Sequence, residues 1–558
     1  MEQKDIEWEL EEGIPQLEDP FIQQYLKGRD SLISEEQKQR HDANFRKALT
    51  PMAARACDIV ARIRDQEFRQ MLGKHRDGSD DSSSPAETSR LWKVVQKLPK
   101  GSLLHVYLHA AVDIDFIVNE ALTTPGLHIC ASQPLAQGED CKSVPFHFRY
   151  STRRASESEA RPNIWTGTYH PGALVPVSEA ASSFPDGGEP GFRLWLQQRC
   201  TNTQRESGQS TGTNETTTFS EVSLPILNSL LSYEPILRSC LRRIFRQLAA
   251  DNIRYAELRN VFSAPFTLKG ANTFEEGYTA WCRVFQEEVE QFKRTDEGRS
   301  FHGARVIWAT LRSLPTKQFV QSMQECVLAK LDVPGVICGY DIAEPEDGGK
   351  PLVELVPLLF YFRRLCAEEG VVIPFLFHAG GNLGDDDNVD RNLFDAILLG
   401  TRRIGHGSSL HRHPLLVDLV KEKKILIESC VRSHGALRIA DAVQSHPLLA
   451  LSSRGVPVAL CSGTPGVCGQ NANTLTLDYW TALQGFQSLG LTGVAMMMEN
   501  SIRWSCYEDQ TLSEWLSGIG EGVTGSGVKA SRLREWYEEF EKFCEWVLEE
   551  FYELDLDD

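Results

Sequence analysis

A chain of 558 residues, 41% of them hydrophobic, can bury a large core and exceeds what one ordinary domain needs. Its formal net charge of −19 argues against broad contact with a nucleic-acid backbone or an anionic membrane, so neither is expected as a direct partner. The opening MEQKDIEWELEEG lacks a signal peptide's basic and apolar regions, and the 14 cysteines show no paired spacing; an intracellular protein, cytoplasmic or nuclear, with reduced thiols is expected.

Residues 1–99 read as an amphipathic, N-terminal helical extension, broken by HRDGSDDSSSPAETS (75–89), which is too poor in apolar residues to fold alone. From residue 100 short apolar runs alternate with helical stretches. SLLHVYL (102–108), IRYAELR (253–259), ARVIWATLRS (304–313), VPGVICGYDIA (333–343), VVIPFLFHA (371–379), TRRIGHGSSL (401–410), KILIESC (424–430) and VPVALCS (456–462) predict buried parallel strands. Helices such as PLVELVPLLFYFRRLCAEEG (351–370) fall between them. Eight such units predict an α/β chain forming a TIM (β/α)8 barrel over residues 100–550. A polar insertion over 152–220, ending in RCTNTQRESGQSTGTNETTTFS (199–220), is expected to include a mobile loop, and 551–558 form an acidic tail.

In a barrel of this kind the chemistry sits at the C-terminal ends of the strands. His105, His378 and His406 each end or closely follow a predicted strand. One such histidine alone is more often a packing residue. Three together point to a site.

The stretches KLPKGSLLH, SLLSYEPILR, DNIRYAELR, FHAGGNLGD, LLGTRRIGHG, HPLLVDLVKEKKILIESC, LSSRGVPVAL and EWYEEFEKFCEWVLEE fall in this order across residues 90–550. In them the chain resembles the adenosine deaminase family, specifically its growth-factor-related branch as found in fungi. The resemblance implies a zinc-dependent TIM barrel that replaces the 6-amino group of adenosine by oxygen. Three imidazoles and one carboxylate would hold the metal, a glutamate would handle protons at the purine ring, and a histidine and an aspartate would orient the attacking water.

Against those motifs the chain departs at several positions. The family's His-x-His is His105-Val106-Tyr107 here, so a phenol stands for the second imidazole. HAGE is His378-Ala379-Gly380-Gly381, with glycine for the proton-handling glutamate. GHG is intact as Gly405-His406-Gly407. In the Asp-Asp-Pro triplet, Gly463 and Thr464 replace both acids ahead of Pro465. In the pattern GxDLxGxED a glutamate, Glu344, takes the place of the glycine that would let the backbone approach the purine.

Of the four implied metal ligands only His105 and His378 survive, and zinc sites use three or four protein ligands. Retaining a metal would need recruits: His109, His434, Cys461 or Cys468. The expectation is therefore a chain that is not an enzyme and holds no cofactor, with His406 a relic. Its fold would serve as a regulatory or scaffold subunit for a protein partner, such as an active RNA-directed deaminase. The resemblance also implies a homodimer through the N-terminal region. Trp536, Phe540, Phe543, Trp546 and Phe551 of the C-terminal helix offer a partner surface or, more readily, a face packed on the barrel. Alternative readings are a nucleoside or metabolite sensor, an active metal-dependent adenosine deaminase-like hydrolase with zinc on recruited ligands, or other chemistry through Asp341, His406 or Cys461.

Overall fold

The computed structural model describes residues 13–76, 89–136, 144–152, 162–201, 223–343, 346, 349–381, 388–431, 446–466, 474–486 and 488–555. Its strands in chain order are β1 (Gly101–Tyr107), β2 (Leu127–Ala131), β3 (Phe146–Tyr150), β4 (Val175–Pro176), β5 (Ile253–Val261), β6 (Gly303–Leu311), β7 (Ile337–Ala343), β8 (His378–Ala379), β9 (Arg403–His406), β10 (Leu426–Ser429) and β11 (Val458–Leu460). β1 and β5 to β11 coincide with the eight predicted strands. Side chains on both faces of β1 and β7 are buried, which is why these strands read as continuous apolar runs and not as an alternation.

The eight strands form two parallel four-stranded sheets, ordered β1-β5-β6-β7 and β8-β9-β10-β11. Single parallel bridges join the sheets at both seams, Tyr340 to Phe375 and Val106 to Gly463. Backbone hydrogen bonds of 2.9 Å from Tyr340 N to the Pro374 carbonyl and from Tyr107 N to the Gly463 carbonyl reinforce those seams. The architecture is a TIM-type α/β barrel. Inside it Leu104, Ile307, Cys338, Leu376, Leu426 and Ala459 form an apolar layer.

Between β1 and β5 the chain builds a three-stranded antiparallel sheet, order β3-β2-β4, and the helices Val177–Ser182 and Gly188–Cys200. The sequence reading assigned no strands there, although FHFRY in β3 alternates buried and exposed positions as a one-sided antiparallel strand does. Most of the polar tracts 75–89 and 199–220 lies outside the described residues.

The helices Ala43–Ala48 and Pro51–Arg76 sit against the C-terminal helix Val528–Glu550. The Phe45 ring lies 6.1 Å from that of Trp536 and 5.4 Å from that of Phe540, and Trp536, Phe540, Phe543 and Phe551 are buried. The aromatic face is thus closed by the chain's own N-terminal helices and is not an open partner surface.

Lys529, at the start of that C-terminal helix, is buried with its Nζ 3.4 Å from the centroid of the Trp515 ring. Burial pushes its amine down from 10.5 to about 7, against the opposing pull of Cys506 and Glu257. Between those values the unfolded chain keeps a proton that the folded chain has released, so this residue makes stability rise with pH. We expect Lys529→Met to be the more stable protein near neutral pH, with its advantage shrinking towards pH 10. Urea unfolding of both proteins across that range tests this; a constant gap contradicts it.

Candidate metal centre

His105 owes its orientation to an irregularity in β1. The register with β5 slips between Leu103 and Val106, so that three steps along β1 match two along β5. Such a bulge breaks the strict alternation of side chains. Leu104 accordingly joins the apolar barrel layer while the next residue, His105, also faces inward and meets His378. His378 comes from β8 and His406 from the end of β9. His406 has a left-handed backbone (φ 65°), a conformation that costs a non-glycine residue of order 1–3 kcal/mol and clusters at functional sites. Gly405 beside it permits the close approach, since a Cβ there would stand 3.1 Å from His105 Cε1 and 3.3 Å from His378 Cδ2.

One ring nitrogen from each of His105, His378 and His406 lies within 4.8 Å of the others. His105 Nε2 and His378 Nε2 face each other at 3.1 Å. Their opposite nitrogens look onto carboxylates. His378 Nδ1 is 2.7 Å from Asp341 Oδ2, and His105 Nδ1 is 3.1 Å from Glu428 Oε2, though too bent for a well-formed hydrogen bond. The Asp341 hydrogen bond places the proton of His378 on Nδ1 and leaves its Nε2 as a lone pair. Facing it at 3.1 Å, His105 Nε2 either donates an N–H to that lone pair or, with its proton on Nδ1 towards Glu428, shares a cation with it. Burial, then the charge of Arg259, pushes His105 down to about 3, so it is a neutral imidazole with one N–H and one lone pair. The donor set fits a metal: tetrahedral zinc, with bonds near 2.0–2.1 Å, separates its ligand nitrogens by roughly 3.4 Å.

The two carboxylates belong to a buried ionic network. Arg259 donates to Asp341 at 2.8 Å and to Glu428 at 2.7 Å; Arg403 donates to the other Glu428 oxygen at 2.6 Å and to Glu257 at 2.5 Å. Burial alone would raise Asp341 and Glu428. The neighbouring His378 and Arg259 for the first, and Arg259 and Arg403 for the second, more than offset it and hold both well below the usual carboxylate range. The directly paired set has three carboxylates for two guanidiniums, a formal deficit that a cation at the imidazoles would offset.

The proposed recruits fare differently. His109 is buried just after β1 with its Nε2 3.2 Å from Asn228 Oδ1, outside the histidine cluster, and burial pushes it down to about 4. Cys461 lies in the apolar barrel layer, where burial pushes its thiol up. His434, Cys468 and Glu344 are outside the described residues. Tyr107 stacks on the His378 ring, with centroids 5.9 Å apart and planes at 30°. Gly463 has a left-handed φ of 64°, and its N–H and that of Ser462 donate to the His105 carbonyl, so this segment fixes β1 instead of supplying a ligand; Thr464 follows it, half-buried. Gly381 N donates at 2.6 Å to Glu346, the glutamate that the chain keeps in the pattern GxDLxGxED, two residues after Glu344. The sequence reading gave that glutamate no role.

The model of the adenosine deaminase family matches residues 212–521. Adenosine deaminase 2-A of Danio rerio is 28% identical over 440 residues, covering 78% of this chain and 80% of its own. Adenosine deaminase 2 of Homo sapiens is 27% identical over 424 residues, covering 75% and 76%. Among solved structures, an amidohydrolase from Burkholderia ambifaria with bound zinc is 15% identical, with a TM-score of 0.49, covering 84% of this chain and 97% of that one.

Two expectations are corrected by these findings. That the chain is not an enzyme is overturned by relatives named adenosine deaminases that align over three quarters of it. That it holds no cofactor is overturned by the family match together with the convergence of His105, His378 and His406. Counting ligands by motif position missed the third imidazole, because His406 reaches the other two only through the fold. Asp341→Asn should weaken zinc binding roughly 10–100-fold by releasing the His378 ring; calorimetric titration of the metal-stripped protein measures this, and unchanged affinity would refute the orienting role.

Proposed function

We propose that this chain, which belongs to the adenosine deaminase family, is a metal-dependent hydrolase that deaminates adenosine or a closely related purine nucleoside. The observation that carries the reading is the pair of facing Nε2 atoms of His105 and His378 with His406 beside them, a donor set built for a cation. His406 would complete a three-imidazole set, in place of the ligands that Tyr107 and Gly463 no longer provide. Three protein ligands are the number that catalytic zinc sites use, leaving one position open.

Zinc held there would supply Lewis-acid activation of the attacking water. The chain's own residues do the rest. Asp341 sets the tautomer and orientation of the His378 ring, and Glu428 lies beside Nδ1 of the His105 ring. Arg259 keeps those two carboxylates in register with each other. Tyr107 covers one face of His378 and narrows the approach from that side.

The test pairs metal content with turnover. Protein purified without chelators should contain near-stoichiometric zinc and convert adenosine to inosine, lose activity on chelation and regain it when zinc is restored. His406→Ala should lose both zinc and activity. Zinc-replete protein that turns over none of adenosine, deoxyadenosine or AMP would sink the proposal.

A further inference from the structure

We infer that Glu346 performs the proton handling for which position 381 no longer has a side chain. This rests on reading the chain as a hydrolytic deaminase. The backbone at Gly381 is outside the left-handed region, so it could carry a side chain without strain. A Cβ built there would stand 3.0 Å from Glu346 Oε2 and 3.8 Å from His406 Cδ2. The Glu346 carboxylate therefore occupies the space that a side chain leaving position 381 would enter, close to one of the three imidazoles. A carboxylate arriving from beyond β7 stands where one from the turn after β8 would.

The carboxylate is also held in place. Its Oε2 accepts from Gly381 N at 2.6 Å, and its Oε1 from Gly380 N at 3.2 Å and Asn392 Nδ2 at 3.0 Å. The Asn392 amide cannot flip freely, because its Oδ1 accepts from Leu352 N at 2.7 Å. All three donors are neutral, so no guanidinium or ammonium among them competes for a proton. A fixed, nearly buried carboxylate beside a water-activating centre is the arrangement that general acid–base catalysis uses.

The step balances with adenosine and water alone. As the water oxygen bonds to purine C6, the Glu346 carboxylate takes one of its protons and passes it to ring N1. The proton of the new C6 hydroxyl then moves to the exocyclic amine, the C6–N bond breaks, and ammonia leaves. The products are inosine and ammonia, and the carboxylate is returned unchanged.

A bland alternative is that Glu346 only latches the Gly380-Gly381 turn. Glu346→Gln removes the proton carrier while its amide oxygen can still accept from Gly381 N. Its NH2 then meets the Gly380 and Asn392 donors, so some loss of melting temperature is expected, and rescue by a carboxylate at position 381 separates the two readings. We expect this variant to stay folded and keep its zinc, to lose about 10²–10⁴-fold in kcat with little change in KM, and to lose the acidic limb of the kcat–pH profile. Adding Gly381→Glu to Glu346→Gln should restore part of the activity by returning a carboxylate to the same space, an effect no latch explains. Active wild type with an equally active Glu346→Gln variant, or a variant that fails only by losing zinc or fold, overturns the inference and leaves the proposed function standing. Zinc-loaded wild type without turnover overturns both.

Discussion

Much of this site hangs on one buried carboxylate. Glu428, on β10, has each oxygen engaged by a different guanidinium, Arg259 from β5 and Arg403 from β9, and one of them also faces His105 on β1. Arg259 extends the link to Asp341 on β7, which in turn orients His378 on β8. One connected set of charges thereby ties six of the eight barrel strands together below the histidines. Taking these groups out of water costs several kcal/mol per ion, and removing one partner of such a set typically costs about 3–5 kcal/mol, because the others are left uncompensated. The network is therefore a weak source of net stability and a strong constraint on geometry.

That constraint explains the close contact of two imidazoles at the centre of the site. Asp341 holds the other nitrogen of His378, Glu428 lies beside that of His105, and the two carboxylates share Arg259. Gly405 adds a steric condition, since a methyl group there would push into both rings. The left-handed backbone at His406 is a local cost that the rigid barrel imposes. A cation among the three rings would bind nitrogens that barrel packing already brings together, so metal affinity and barrel packing are coupled.

The barrel was legible in the sequence because strands buried on both faces produce continuous apolar runs, and each of the eight was bounded by helical stretches. The small antiparallel sheet was not: the alternation of FHFRY in β3 was passed over within a chain read for continuous apolar runs, and β4, which pairs with β2, is only two residues long. The histidines were individually visible at strand ends. Their mutual placement was not: the bulge that points His105 inward directly after the inward-facing Leu104 depends on pairing with β5, and His406 reaches the cluster through the turn after β9. Glu346 stood in a recognised pattern, but its contacts were hidden for the same reason. Its role depends on which backbone amides it meets, Gly380 and Gly381, 34 and 35 residues away along the chain.

Motif positions are thus a poor ledger of chemistry in a closed barrel. The ends of the strands converge on one mouth, so side chains from neighbouring strands can enter the same small volume by different routes. Replacing a residue on one strand removes an atom from its motif, but the vacated space remains open to groups from the next strand. At position 381 the absence of a side chain is what lets Glu346 approach, since a Cβ there would already crowd its oxygen at 3.0 Å. At position 463 the glycine N–H donates to the His105 carbonyl, steadying the strand that carries that histidine. Which atoms share that mouth is read from the fold, and in this chain three imidazoles do, with the Glu346 carboxylate bound to the amides of the turn that follows His378.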